Sequence, residues 1–364
     1  MSSEAITVRD LATALECRFP NAWAEPWDRV GLIIGDGGLT LTGVLVTLDA
    51  TAEAVARALD AGANVVVTHH PPYLEPPEAV VRRPGPAGTL EAAVRGGVAV
   101  ISAHTNLDRS PAGASALALR LGFGIEGPLE SGSEAVTVVT TYAPGESAEV
   151  LIGAMRAAGA GRLGQYAGCA YVSEGTGRFE ALDGADPTVT SRHPVPEVRI
   201  EMVAPPGTEE TVLEACRAAH PYEEPVVLAA AGRRVRGVAR LGRVCSWRDG
   251  ARAGDVAAHV GATLGVRCRI WGDPDRVAAR IAVANGSAGS LVEEARVRAD
   301  VLIAGEVRYH DALNAVASGL CVIEAGHDAT EWPLVSVLAE AVREAVGGAA
   351  PVFEEPPSVS WATT

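Results

Sequence analysis

The 364-residue chain is 48% hydrophobic and 21% charged, a balance that excludes long disorder and leaves room for about two domains. All 30 basic residues are arginine; without lysine the chain can form neither a lysine Schiff base nor a Walker A phosphate loop. The net charge of −15 disfavours bulk binding of nucleic acid.

Residues 1–20 carry acidic side chains and no apolar export core, and no stretch of about 20 apolar residues follows, so a cytoplasmic chain without a membrane span is expected. The spacing of Val8, Leu11, Ala12 and Leu15 predicts an amphipathic helix over 6–20. Glu25-Pro26-Trp27-Asp28 reads as a turn before a strand at 30–35. A second apolar run, 44–49, precedes a helix over 52–61. The strand 64–68 ends at His69-His70. After a proline-rich loop (71–87) come a helix at 89–95 and a strand at 98–102, which exits into His104-Thr105-Asn106-Leu107-Asp108. Strands alternating with helices imply βαβ units and a mostly parallel sheet. Ligands bind such sheets beyond the carboxyl ends of the strands.

The middle of the chain differs. Strands are expected at 136–141, 198–203 and 226–230, helices at 148–158 and 209–219, and a long polar, glycine-rich loop at 161–197. Arg233-Arg234-Val235-Arg236 reads as a solvated junction. The α/β pattern then resumes with a helix at 255–264 and strands at 280–283, 301–303 and 321–324. The last two run into Gly305-Glu306 and Ala325-Gly326-His327. The expected fold is therefore α/β with mostly parallel sheets. Its two halves, 1–130 and 236–364, are interrupted by an α+β insertion at 131–235. The six cysteines form no CxxC pair and read as reduced thiols.

The chemistry-bearing residues gather at the predicted strand exits. Taken singly, each has a plain reading. Asp108 pairs with Arg109; Glu331 sits at the start of a helix capped by Thr330; His327 is a histidine of the preceding loop. Taken together, His69, His70, His327, Asp108 and Glu331 supply three imidazoles and two carboxylates, enough for two metal ions with a carboxylate between them. Mixed nitrogen and oxygen ligands suit Zn, Fe, Mn, Co or Ni rather than Ca or Mg. A hydroxide shared by two such ions is a strong nucleophile near neutral pH. Asn285-Gly286-Ser287-Ala288-Gly289-Ser290, at a strand-to-helix turn, offers backbone N–H groups to a phosphate.

Five motifs occur in order. They are Glu25-x-Trp27-Asp28-x-Val30-Gly31-Leu32, Val67-Thr68-His69-His70-Pro71, Ser102 to Asp108, Gly305-Glu306-Val307-Arg308-Tyr309-His310-Asp311-Ala312 and Ala325 to Glu331. Over nearly the whole chain this set resembles the Nif-three-like dinuclear-metal family, also called GTP cyclohydrolase 1 type 2 homologues. The resemblance implies that His69, His70, Asp108, His327 and Glu331 hold two divalent ions, Asp108 and Glu331 bridging them. It implies that His104 and His310 stand close by as proton-transfer residues. The middle segment, with His220-Pro221-Tyr222-Glu223-Glu224-Pro225, resembles a CutA/PII-like insertion, and the assembly implied is a homohexamer. The chain departs from the family at Arg29, Glu75 and Asp328, which would line the pocket mouth. Three functions stay open: a metal-dependent hydrolase whose metal-bridged hydroxide attacks a nucleotide or other heterocycle; a non-catalytic metal-binding scaffold, chaperone or regulator; and an enzyme of specialised metabolism acting on a different heterocycle.

Overall fold

The computed structural model describes residues 6–80, 84–164, 166–180 and 194–356. The chain forms two compact units, Met1–Ser131 with Gly237–Thr364, and Gly132–Arg236. In the first, α1 (Val8–Arg18) begins at a reciprocal cap in which Thr7 and Asp10 satisfy each other's backbone N–H groups. There follow β1 (Gly31–Ile34), β2 (Val44–Asp49), α2 (Ala52–Asp60), β3 (Val65–His70), α3 (Pro86–Gly96), β4 (Ala99–Ser102), α4 (Thr105–Arg109), α5 (Gly113–Arg120) and β5 (Gly124–Pro128). The second unit holds β6 (Ser133–Ala143), α6 (Ala148–Ala157), β7 (Ala170–Gly177), β8 (Val195–Ala204), α7 (Glu209–Ala219) and β9 (Val227–Val235). The chain then returns to the first unit. It adds β10 (Arg243–Ser246), α8 (Ala253–Leu264), β11 (Arg269–Trp271), β12 (Ile281–Val283), α9 (Leu291–Arg298), β13 (Val301–Ala304), α10 (Tyr309–Ala317), β14 (Cys321–Glu324), α11 (His327–Val346) and β15 (Val352–Glu354).

The first unit contains two sheets, ordered β1-β4-β3-β2-β15 and β11-β14-β13-β12-β10-β5. Each has a parallel core, β4-β3-β2-β15 in one and β14-β13-β12 in the other, edged by antiparallel strands. Side chains alternate between the two faces, and both faces are covered. Val44, Val46, Val65 and Val67 pack under α1 and α11, whereas Leu45 and Val66 pack against α2 and α3. In the other sheet Ile281, Val301 and Ile323 meet α5 and α8, and Ala282, Leu302 and Val322 meet α9 and α10. Burial on both faces explains why these strands read as unbroken apolar runs rather than alternating ones.

The second unit is an antiparallel sheet, β7-β8-β6-β9, with α6 and α7 packed on one face. Two expectations change here. The polar stretch at 161–197 is not wholly a loop: it contains β7, whose exposed, weakly apolar sequence conceals a strand that pairs along its length with β8. Residues 165 and 181–193 of that stretch lie outside the described residues. The Arg233–Arg236 segment does stand at the unit boundary, but it is not a solvated linker, because Arg233 to Val235 complete β9. There Arg234 and Arg236 pair with Glu134. Among the described residues, no helix is long and apolar enough to cross a membrane. None of the six cysteines is disulfide-bonded.

Candidate metal centre

The site lies at the carboxyl ends of the parallel strands of the first unit. From one sheet, β3 ends at His69 and His70, β2 ends at Asp49 beside His70, and β4 leads into His104 and α4, which carries Asp108. From the other sheet, β12 leads into Asn285-Gly286, β13 into Gly305-Glu306 and β14 into Gly326-His327. The long helix α11 starts at the second sheet and packs on the first through Leu334, Val335 and Leu338.

That helix starts earlier than expected. His327 is its first residue, not part of the preceding loop, because Gly326 turns the chain at φ +91°. Thr330 does not cap it: the hydroxyl folds back on the Gly326 and His327 carbonyls and accepts the Gly286 N–H. His327 and Glu331 are therefore four residues apart on one helical face.

Three imidazoles are anchored through Nδ1 and present Nε2 to Glu331. His69 Nδ1 is 3.0 Å from the Ala103 carbonyl, His70 Nδ1 is 2.8 Å from Asp49, and His327 Nδ1 is 2.9 Å from Glu306. On the other side, Glu331 Oε2 is 2.9 Å from His70 Nε2 and 3.0 Å from His327 Nε2, and Oε1 is 3.7 Å from His69 Nε2. Asp108 Oδ2 is also 3.7 Å from His69 Nε2, and Asn285 reaches its other oxygen at 3.4 Å. His69 is fully buried. Neither His69 Nε2 nor Glu331 Oε2 has a partner with hydrogen-bond geometry. Nitrogen and oxygen lone pairs that converge in this way, each ring fixed from behind by an acceptor, fit a divalent cation of the borderline class. Among the described residues, the groups with metal-ligating spacing are His69, His70 and His104, and His70, His327 and Glu331.

The electrostatics follow from the same contacts. Burial disfavours charge on His70, but Asp49 and Glu331 outweigh it and raise the ring to about 9. Glu306 and then Glu331 raise His327 to about 10. Burial opposes ionisation of Glu331, yet His69, His327 and His70 hold it well below the usual carboxylate range. Asp108 is pushed up, first by burial and further by Glu331, with His69 pulling the other way.

His104 joins the cluster from β4. Its ring lies 5.1 Å from that of His69 and 5.5 Å from that of His70, and its Nδ1 is 2.7 Å from Asp28. Asp28 also accepts the Thr105 N–H and hydroxyl. Burial works against its ionisation, but His104 and Thr105 bring its carboxyl down to about 2. His310 is not brought into the cluster: it is exposed on α10, its ring against Tyr309. The 285–290 turn spends N–H groups inside the fold, Gly286 on Thr330 and Ala288 on the Glu306 carbonyl. His220 spends both ring nitrogens inside the second unit, Nε2 on the Tyr142 carbonyl of β6 and Nδ1 on the Tyr222 N–H of its own turn. Of the three departures, Arg29 bonds the Leu74 carbonyl, Glu75 is exposed, and Asp328 accepts the Ala329 N–H in the first turn of α11.

Sequence reasoning gave no role to Asp28, Asp49 or Glu306. All three orient an imidazole, and a signal existed for each. Asp28 belongs to the first motif, while Asp49 and Glu306 are acidic residues placed at strand exits next to the expected ligands.

Fold and cluster together define a class: an α/β protein with a histidine–carboxylate centre of metal-ligating composition at the carboxyl ends of its sheets. The chain belongs to the Duf34/NIF3 (NGG1p interacting factor 3) family, whose profile matches residues 6–354. It is 33% identical over 362 residues to the GTP cyclohydrolase 1 type 2 homolog of Mycobacterium tuberculosis (strain ATCC 25618 / H37Rv), covering 96% of this chain and 94% of that protein. It is likewise 33% identical over 317 residues to the homolog of Bacillus subtilis (strain 168), covering 85% and 84% of the two chains. Among solved structures, a Bacillus cereus protein related to NIF3 is similar over 100% of both chains, with a TM-score of 0.66 and 28% identity. Staphylococcus aureus protein SA1388 shares the fold at a TM-score of 0.67 and 24% identity, again over 100% of both chains.

Proposed function

We propose that this chain is a dinuclear-metal-dependent hydrolase acting on a nucleotide or other heterocycle. His69, His70, Asp108, His327 and Glu331 would hold two ions of the Zn, Fe, Mn, Co or Ni class, with the two carboxylates between them. The observation that carries this reading is the convergence of three back-anchored imidazoles on the buried Glu331 carboxylate. Such ions supply Lewis acidity and acidify water near neutral pH. The chain's own part is positional. Asp49, Glu306 and the Ala103 carbonyl fix the tautomer and direction of each ligand ring. Asp28 holds His104 by its Nδ1, which leaves Nε2 as the site for moving a proton at the edge of the cluster. The name borne by the curated relatives agrees with a heterocyclic substrate.

The test is metal content per chain, in wild type and in Asp108→Ala. Two ions per chain in wild type, lost in the folded variant, are expected, and hydrolysis of GTP and other heterocycles by the loaded protein should fall with them. Near-zero metal in a well-folded wild type, after reconstitution with each of the five metals, sinks the proposal. Full loading without turnover of any heterocycle would leave a metal-binding scaffold instead.

A further inference from the structure

We propose that Trp27 and Arg29 form the recognition wall of this centre, and that together they select a planar heteroaromatic ring bearing an anionic substituent. The inference rests on the metal-centre reading above and names the substrate class for it.

Trp27 is 54% exposed although it is the largest side-chain type available. An aromatic of that size left in water beside a buried polar cluster invites a ligand. Its position is fixed rather than floppy. Glu25 to Asp28 form a turn closed by the Asp28 N–H on the Glu25 carbonyl at 3.0 Å, with Pro26 at the corner. Glu25 ties that turn to α4 twice: its N–H donates to Thr105 Oγ1 at 2.9 Å, and its carboxylate meets Arg109 at 2.5 Å. Asp28 adds its bonds to His104 and Thr105. Alternation along the turn sends Asp28 inward to these partners and leaves Trp27 and Arg29 on either side of it, both exposed. A ring presented on a turn pinned in this way loses little freedom when a ligand stacks on it.

The wall adjoins the centre. The Trp27 ring stands nearly perpendicular to that of His104, at 73° and 5.9 Å between centroids, and His104 is in ring contact with His69 and His70. A flat ring against Trp27 is therefore separated from the ligand imidazoles by one side chain. Arg29 sits where the turn meets the loop that follows His70: its Nε donates to the Leu74 carbonyl at 3.2 Å. Its terminal amino groups have no hydrogen-bond partner among the described residues. They form the fork that grips a phosphate or carboxylate. Of the acidic groups at this end of the strands, Asp49 and Glu306 are each engaged with a histidine, and the exposed Glu75 next to Leu74 has no ion pair with Arg29 among the described residues.

The test is equilibrium binding to zinc-loaded protein by calorimetry, with metal content measured for every variant. Three probes separate the parts: guanosine 5′-monophosphate has ring and anion, guanosine the ring alone, ribose 5-phosphate the anion alone. Trp27→Leu should weaken both ring-bearing probes roughly ten- to hundredfold, the range set by base–aromatic stacking, and leave ribose 5-phosphate unchanged. Arg29→Gln should erase most of the preference for the monophosphate over guanosine. The proposal is overturned if Trp27→Leu binds the ring-bearing probes as wild type does, if ribose 5-phosphate binds wild type as tightly as the monophosphate, or if fully loaded protein binds none of the three. An unchanged monophosphate preference in Arg29→Gln overturns the anionic half. Full metal with no binding leaves the metal-centre reading intact, whereas absent metal removes that reading first.

Discussion

Glu331 is the residue on which the centre turns, and its partners make the metal-free protein sensitive to alkali. His70 and His327 titrate at about 9 and about 10, against the ordinary 6.5 that an unfolded chain would show. Their charged forms, paired with Glu331, Asp49 and Glu306, therefore stabilise the metal-free fold. That contribution is complete below about pH 6.5 and is lost as pH rises through the two folded-state values. A metal ion competes with those same protons, so uptake releases protons and strengthens over the same interval. The Tm of metal-free protein should therefore fall from pH 7 to 9, and the Tm gain on adding zinc should grow. Glu331→Gln should flatten both trends. A metal-free Tm that is level across this range would mean the imidazoles are not held charged by Asp49, Glu306 and Glu331. At this scale the gathering of His69, His70, Asp108, His327 and Glu331 was legible, because all five fall at or just beyond predicted strand exits. Their supports were not: nothing local distinguishes Asp49, which orients His70, from any acid that ends a strand.

Elements were legible where burial writes a plain pattern. The apolar runs that became β2, β3, β13 and β14 stand out because both faces of those strands are covered. β7 was invisible because most of its side chains face water, so its pairing with β8 depends on backbone rather than pattern. The start of α11 was misplaced for a different reason. Thr330 has a capping side chain, but tertiary contact with Gly286 claims it, and that contact is absent from any local window. Gly286 itself shows how tightly the loop fits the helix. It sits at φ +53°, and a Cβ there would lie 2.0 Å from Glu331 Oε1 and 3.1 Å from His327 Cε1. Gly289 has a similar φ of +49° with open space around it. Alanine at either position should cost about 1 kcal/mol of backbone strain. Gly286→Ala alone should also displace the carboxylate and lower metal affinity at least tenfold. Calorimetric stability and zinc affinity of the two variants separate strain from displacement. Equal zinc affinity in both would show that the Glu331 carboxylate is not part of the centre.

At the scale of the whole molecule, each unit closes on itself. Leu129 and Glu130 bond back to Gly242 and Leu241 in the first, and Arg236 bonds to Gly132 in the second, so the second unit is let into the chain without opening the first. Among the described residues, the helices of the second unit cover one face of its sheet. On the other face Tyr171, Glu201, Thr140 and Leu228 form a cross-strand row, with Tyr171 65% and Leu228 51% exposed. A sheet face carrying exposed Tyr and Leu is costly for a monomer in water and is commonly satisfied by another copy. We expect the native protein to be a homohexamer, with a mass about six times the 37.4 kDa of the chain, and this face to be one of its contacts. Mass photometry of wild type and Leu228→Arg tests both statements. A smaller species in the variant, with metal content per chain unchanged, is the expected result, since the proposed ligands all belong to the first unit. A wild type that runs at the mass of one chain sinks the assembly. An intact hexamer in Leu228→Arg would instead move the contact elsewhere and leave the exposed row without a structural purpose.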